Sequence, residues 1–455
     1  MRVSLLLLLT AVTVSAKSIN PTVKRIVDAV SEERIAAIEK KLESFETRNI
    51  YSDPDHPTRG IGAARRWIFD QFQSYSPRLQ VSFDSYKVKK QRRVFRDVEV
   101  VNVIAVLPGT LNKERQFIVS GHYDSLNLVR KPRLPDAAAA ADPPEIDEEK
   151  SAAAPFAPGV TDDASGTAAV MELAHVMSQF EFEKTIVFIA FAGEEEGLLG
   201  STLYAAKARG ENRIIDAVLN NDIIGSEMAG NGLVENRRVQ VFSEHPNDSP
   251  SRQLARYIKE IGERYLPAMR VDLIFRHDRF ERGGDHTPFN YEGYAGVRFT
   301  SPAENFANQH TATDTFANTS PGYATRVTRI NAAALASLAL APKAPDVTRE
   351  IKSGVYKGRI VPNIGRGKSR YAALLKWKNE NAEPDLAGYA IVSRSTTASD
   401  WQKEIFVGNV NEYTLEDVSI DELVFGVKAI DKDGNESLVS AYADAPRPKR
   451  VIEVY

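Results

Sequence analysis

SGTAAVMELAHVMSQF (165–180) reads as a helix, and TIVFIAFA (185–192), close behind it, is an unbroken apolar run of strand length. A strand without polar alternation is buried on both faces, as in a sheet that carries helices on each side. QFIVS (116–120), upstream, is a second short buried strand. Downstream lie a helix near 201–209 and another apolar strand at 217–224. Strand, helix, strand, helix in that order predicts an α/β domain, a mixed central sheet sandwiched by helices.

Nearer the N-terminus, GAARRWIFDQFQSY (62–75) and EERIAAIEKKLESF (32–45) have the spacing of amphipathic surface helices. The first residues read as an export signal. Arg2 supplies the positive end, 5–14 the apolar core, and Val14-Ser15-Ala16 a small-residue cleavage site. Residues 1–16 are thus expected to send the protein to the periplasm or the extracellular medium, with 17–45 either a pro-segment or a docking helix. The apolar core is too short to span a bilayer and no later run is long enough, so no transmembrane segment is expected.

Residues 126–158 contain DAAAAADPP and EEKSAAAPFAP. This composition buries too little apolar surface to order itself and predicts a mobile insertion. APKAP (341–345) is a proline-spaced linker. Beyond it ALLKWK (373–378), GYAIV (388–392) and FGVKAI (425–430) alternate or nearly alternate, separated by turn signals such as Asp433-Gly434-Asn435. Residues 346–455 therefore fit a small antiparallel β-sandwich. The expected plan is a signal (1–16), a catalytic domain (17–341) and this sandwich. A formal net charge of -3 argues against nucleic acid as a partner. The absence of Cys excludes disulfides and any thiolate metal site.

Chemistry gathers where the strands end. Gly121-His122-Tyr123-Asp124-Ser125 follows the strand at 116–120, which aims His122 into the crevice where α/β sheets bind ligands. Asp124 lies to the same side and is placed to take the ring's other N–H, as carboxylates do behind metal-bound His. Alone, the motif is equally an ordinary loop His near a surface acid. Gly159-Val160-Thr161-Asp162-Asp163-Ala164-Ser165-Gly166 opens the helix at 165. Its acids either cap that helix or hold a carboxylate with both oxygens free to bridge two cations.

Gly193-Glu194-Glu195-Glu196-Gly197 ends the most apolar strand, where three consecutive Glu repel one another unless cations neutralise them. Adjacent Glu can divide the labour, one binding metal and the other serving as general base. Asn220-Asn221-Asp222 adds an acid at the same sheet edge, and Asn308-Gln309-His310-Thr311 a His ahead of the last long helix. His56, His175, His245 and His277 lack a convergent acid set. Two His, two Asp and a Glu without sulfur suit Zn²⁺ or a similar ion, and paired ions are the usual hydrolytic arrangement. The residues alone describe a metal-dependent hydrolase.

The five motifs, in this order between about 45 and 340, resemble the co-catalytic di-zinc aminopeptidase family (metallopeptidase family twenty-eight). Bacterial leucyl aminopeptidases and glutamate carboxypeptidase belong to it. The resemblance implies two Zn²⁺ per chain, one on His122 and Asp222, the other on Glu195 and His310, with Asp162 bridging. Glu194 matches the general base, with Asp124 in the catalytic set behind His122. The implied reaction is attack of a metal-bridging hydroxide on the first peptide bond of a peptide held by its free N-terminal amine.

Two positions depart from the family. Some members carry Tyr before the last metal-binding His, where this chain has Gln309. Arg282, ahead of Asp285-His286, is placed either to contact substrate or to pair with a nearby acid, and the Asp-His pair reads as holding a helix start. Residues 346–455 resemble a fibronectin type III domain through Trp377, Tyr389 and FGVKAIDKDGNES (425–437), which implies docking to a polymer or cell surface. The reading is an exported zinc exopeptidase, an aminopeptidase acting on peptides near neutral to alkaline pH. A carboxypeptidase or dipeptidase needs a basic pocket for a terminal carboxylate, and a glutaminyl cyclase a single zinc. A metal-free peptidase-like binding ectodomain should have lost ligands that this chain keeps.

Overall fold

In the computed structural model, which describes residues 19–132, 145–378, 380 and 383–443, helices α1 (Pro21–Ala29), α2 (Glu32–Glu43) and α3 (Gly60–Tyr75) come first. Strands β1 (Gln80–Val88), β2 (Val98–Leu107) and β3 (Asn112–His122) precede α4 (Glu148–Ala152) and α5 (Ser165–Met177). Then come β4 (Lys184–Phe191), α6 (Leu199–Gly210), β5 (Ile214–Asn221), β6 (Arg238–Ser243) and α7 (Pro250–Tyr265). β7 (Arg270–Ile274), α8 (His286–Tyr291), β8 (Gly296–Thr300) and α9 (Pro321–Leu340) complete this part. The expected signal at 1–16 lies outside the described residues, as do 133–144.

These strands form one sheet in the order β1-β2-β4-β3-β5-β8-β6-β7. The middle four, β4-β3-β5-β8, run parallel and bring their carboxyl ends to one edge. β2 on one side and β6 on the other are antiparallel to them, which makes the sheet mixed. Every residue of β4 is buried. Ile186, Phe188 and Ala190 enter the core on the side of α5 and α9, whereas Val187, Ile189 and Phe191 meet Tyr204 of α6 and Phe289 of α8. Helices on both faces leave the strand no polar side, hence its unbroken apolar sequence.

α1 and α2 form a layer packed on the helices behind the sheet. They pack on α5 and α9 and bury Val23, Ile26, Ile35 and Leu42. Arg34 forks onto the buried Glu172 of α5 at 2.6 and 2.8 Å. Glu39 of α2 is also fully buried, with no partner for either carboxylate oxygen. Burial, with the charge of Asp314 adding to it, pushes its carboxyl up to about 8. The native state therefore keeps a proton that the unfolded chain releases near its ordinary value. Between roughly pH 4.5 and 8 stability falls as pH rises, each tenfold difference in proton affinity being worth about 1.4 kcal/mol. Glu39→Gln should raise Tm, by a margin that widens from pH 5 to pH 8 and then stays constant. Melting curves of both proteins across that range check this, and a gap independent of pH contradicts it.

The flanks of the expected mobile insertion are ordered. Arg130 pairs with Ile146, Asp147 N donates to Val129 O at 2.8 Å, and Val129 N donates to the buried Ser151 hydroxyl. Leu128 N donates to His310 O at 2.9 Å and ties the segment to the His310 loop. Its neighbours, not its own apolar content, hold it. The expected linker is likewise packed down: Ala341 and Pro342 are buried, and the Lys184 ammonium donates to Ala341 O at 2.5 Å.

Beyond α9 come β9 (Thr348–Glu350), β10 (Ile360–Pro362), β11 (Ile364–Gly365), β12 (Ala372–Lys376) and β13 (Leu386–Ser395). β14 (Lys403–Gly408), β15 (Glu412–Glu416), β16 (Leu423–Asp431) and β17 (Ser440–Ala441) follow. Antiparallel sheets β11-β12-β15 and β14-β13-β16-β17 enclose Leu375, Trp377, Tyr389, Phe425 and Val427. This unit leans on α7 and its entry turn. Arg394 meets Asp248 at 2.6 Å, Arg264 meets Glu436 at 2.8 Å, and Lys428 sits among Glu260, Glu404 and Glu436. An ammonium already fills that acid cluster, so it is an ion-pair centre and not a metal site.

Candidate metal centre

The parallel edge of the sheet delivers most of the centre. β3 ends at His122, β4 runs into the turn that carries Glu194 and Glu195, β5 ends beside Asp222, and the loop after β8 carries His310. Asp162 stands in the turn that leads into α5. His122 Nε2 lies 3.1 Å from Asp162 Oδ1 and 4.0 Å from Asp222 Oδ1. His310 Nε2 lies 3.1 Å from Asp162 Oδ2 and 3.0 Å from Glu195 Oε2. Two trios result, His122–Asp162–Asp222 and Asp162–Glu195–His310, each with one donor atom per residue within 4.8 Å of the others. Asp162 belongs to both and turns one oxygen to each His.

The electrostatics fit a cation. Burial raises the carboxyls of Glu194, Glu195 and Asp222, and neighbouring acids raise each further. Burial opposes protonation of both rings, yet the surrounding carboxylates draw His122 and His310 well above the ordinary imidazole range. Burial likewise works against an ionised Asp162, but His122 and His310 hold it well below the usual carboxylate range. Glu195 Oε1 is buried without a partner. A surplus of buried carboxylates, two imidazoles and no sulfur is the donor set of zinc or a similar divalent ion.

Other residues hold these in place. His122 Nδ1 lies 3.2 Å from the Asp124 main-chain O and 3.5 Å from its Oδ1, while Asp124 Oδ2 accepts from Glu195 N at 3.3 Å, so Asp124 links a His and a Glu of the centre. Asp163 accepts from the backbone of His122, Gly166 and Ile223 and ties together the end of β3, the start of α5 and the turn after β5. Three further supports had not been singled out in the sequence. Buried Arg48 donates to Tyr123 O, Pro158 O and Gly159 O, knitting the His122 and Asp162 loops together. Asp314 accepts from Thr161 N and Asp162 N at 2.9 and 3.0 Å. Arg298 is fully buried in β8 and bridges Asp222, at 2.9 Å, to Asp278, at 3.2 Å. Only Arg298 left a signal, a lone charge inside the short apolar run GVRFT.

Arg282 forms the ion pair that was one of its two expected roles: it meets Glu304 at 3.0 Å and donates to Gln309 Oε1 at 3.3 Å. Gln309 Nε2 in turn donates to Glu304 at 2.9 Å, so that amide is engaged at both ends. Asp285 makes no side-chain cap to α8, unlike the helix-start role expected of it. It accepts from Ser201 at 2.5 Å and ties α8 to α6. His286 Nε2 donates to His277 O at 2.8 Å.

The metal-centre residues open into a cleft of about 530 Å³. Part of its lining is apolar, with Tyr51, Phe95, Leu126, Leu128 and Ile146; Arg279 and Arg282 stand on its rim.

The family profile described as Peptidase family M28 matches residues 102–335, a span that contains all of these donors. A probable zinc metalloprotease of Leptosphaeria maculans is 34% identical over 446 residues, 91% of this chain and 95% of its own length. The chain belongs to peptidase family M28. As an M28 peptidase it is a zinc metalloprotease, and the two trios are its candidate metal-holding groups. Solved structures agree on the fold of the M28 domain. An aminopeptidase from Aneurinibacillus sp. strain AM-1 superposes with a TM-score of 0.51 at 16% identity, over 70% of this chain and 96% of its own. A glutaminyl cyclase from Macrostomum lignano does so with a TM-score of 0.50 at 16% identity, over 70% and 95%.

Proposed function

We propose that this M28 peptidase is a two-zinc aminopeptidase that removes the N-terminal residue of peptides. The observation that carries the reading is Asp162, which offers one oxygen to each of two His-containing trios. His122 and Asp222 would hold one ion, Glu195 and His310 the other, with Asp162 between them. Bound there, zinc supplies Lewis acidity and a lowered pKa for water.

Glu194 takes the proton of the attacking water and returns it to the leaving amine. Asp124 steadies His122 and the Glu195 turn together. Carboxylates outnumber free cations in the cleft, where Glu148, Glu196 and Glu281 join the metal-centre acids, and this favours a substrate's ammonium over a terminal carboxylate. Of the three arginines that line the cleft, Arg279 and Arg282 are already paired with Glu304, which leaves only the exposed Arg93 for the terminal carboxylate that a carboxypeptidase or dipeptidase would hold. A glutaminyl cyclase needs one metal, whereas both trios here are complete.

Export rests on residues 1–16 and remains part of the proposal. A fibronectin type III relation for the C-terminal unit is supported by its three- and four-stranded sheets around Trp377 and Tyr389, and docking to a polymer or cell surface is proposed with it.

The test is a paired assay of a leucyl peptide with a free N-terminus and the same peptide N-acetylated. Cleavage of the free peptide alone, abolished by a chelator and restored by zinc, is expected. Cleavage of both peptides, or of the acetylated one alone, contradicts an N-terminal exopeptidase.

A further inference from the structure

A second groove adjoins the metal cleft. Arg279 and Arg282 line both. From them the groove runs between the 229–231 turn and the 301–307 loop, two banks that touch where Gly230 approaches Asn305 and Ala307. Its rim carries two large aromatic rings that the fold leaves in solvent, Phe280 at 80% exposure and Phe306 at 70%. Met228, Leu233 and Val234, on the adjoining loop, are more than half exposed as well. The rings are held by cations rather than by packing: Arg276 stands 3.6 Å over the Phe280 ring, and Arg282 stands 5.9 Å from the Phe306 centroid. Apolar exposure gathered at one place and rimmed by polar groups marks a binding surface.

We propose that this groove binds the part of the peptide on the carboxyl side of the bond being cut, as an extended chain that lays an apolar or aromatic side chain between Phe280 and Phe306. This rests on the aminopeptidase reading, in which one residue enters the metal cleft and the rest of the chain must leave it. The shared Arg279 and Arg282 make the groove a continuous exit. Glu304 pairs with both guanidiniums and Asp278 adds a second carboxylate at Arg279, so they do not select a terminal carboxylate. A guanidinium has five N–H donors, and those left over suit the neutral carbonyls of a passing peptide backbone. Neither Phe280 nor Phe306 lines the metal cleft. Their contribution is confined to substrates long enough to reach them.

The experiment compares leucyl p-nitroanilide, Leu-Ala-Ala-Ala-Ala and Leu-Ala-Phe-Ala-Ala on the zinc-loaded wild type and on Phe280→Ala/Phe306→Ala. The wild type should favour the Phe-containing pentapeptide over the all-alanine one in kcat/KM by about tenfold, the worth of one well-buried aromatic contact. The double variant should lose that preference and cleave the anilide at the wild-type rate, and each single variant should lose part of it. A preference that survives in the double variant, or is missing from the wild type, overturns the proposal. If the wild type cleaves neither the anilide nor the peptides, the aminopeptidase reading fails and the groove is judged by binding alone. Calorimetric titration with N-acetylated Leu-Ala-Phe-Ala-Ala should then show binding at least fivefold weaker in the double variant, and equal binding overturns the groove.

Discussion

Glu194→Gln should lower kcat by about 10²–10⁴, the range of a lost general acid–base group, while zinc content and KM stay near those of the wild type. Glu194 is next to Glu195, lines the same cleft and belongs to neither donor trio. The amide keeps the size of the side chain and removes only its ability to take a proton. Loss of rate with metal retained separates proton transfer from metal binding. Metal analysis and steady-state kinetics on the same preparation check this. A Gln variant that loses zinc, or keeps more than about a tenth of the wild-type rate, removes Glu194 from that role.

Asp162→Ala should have a larger effect still, a loss of activity on the order of 10⁴ or more, because metal binding and acid–base catalysis fail together. Each trio keeps two protein donors when the shared carboxylate goes, too few for a tight zinc site. Asp222→Ala removes a donor from one trio only and should leave the Glu195–His310 side able to bind. Zinc retention after dialysis ranks the three proteins: wild type above Asp222→Ala, and Asp222→Ala above Asp162→Ala. Equal retention in the two variants denies Asp162 its bridging place.

Much of the centre was legible because His122, Glu195 and Asp222 sit at or just beyond the ends of strands. The apolar run at 185–192 announces a strand buried on both faces, so the Glu residues that follow it had to emerge at the sheet's edge. His122 and Asp222 end neighbouring strands by the same logic. What escaped the sequence acts through the backbone. Arg48 binds three carbonyls contributed by residues 75 and 110 or more positions away, and Asp314 accepts two N–H groups from a loop some 150 positions earlier. Such bonds need no side-chain motif and leave no periodicity.

The same limit explains the flanks of the insertion. Their composition forbids a core of their own, yet Leu128 borrows order from His310 and Ser151 from Val129. α1 and α2 were expected to be a pro-segment or a docking piece, because amphipathic helices look alike whether they cover a core or leave it. Arg34 on Glu172 and the buried Val23, Ile26 and Leu42 pack them as a layer on the domain.

The most direct measurement is zinc bound per chain when the chelated protein is titrated with zinc and freed of excess. Two equivalents are expected, the second required for full activity. A plateau at one, or no zinc at all, contradicts a centre in which Asp162 joins two ions.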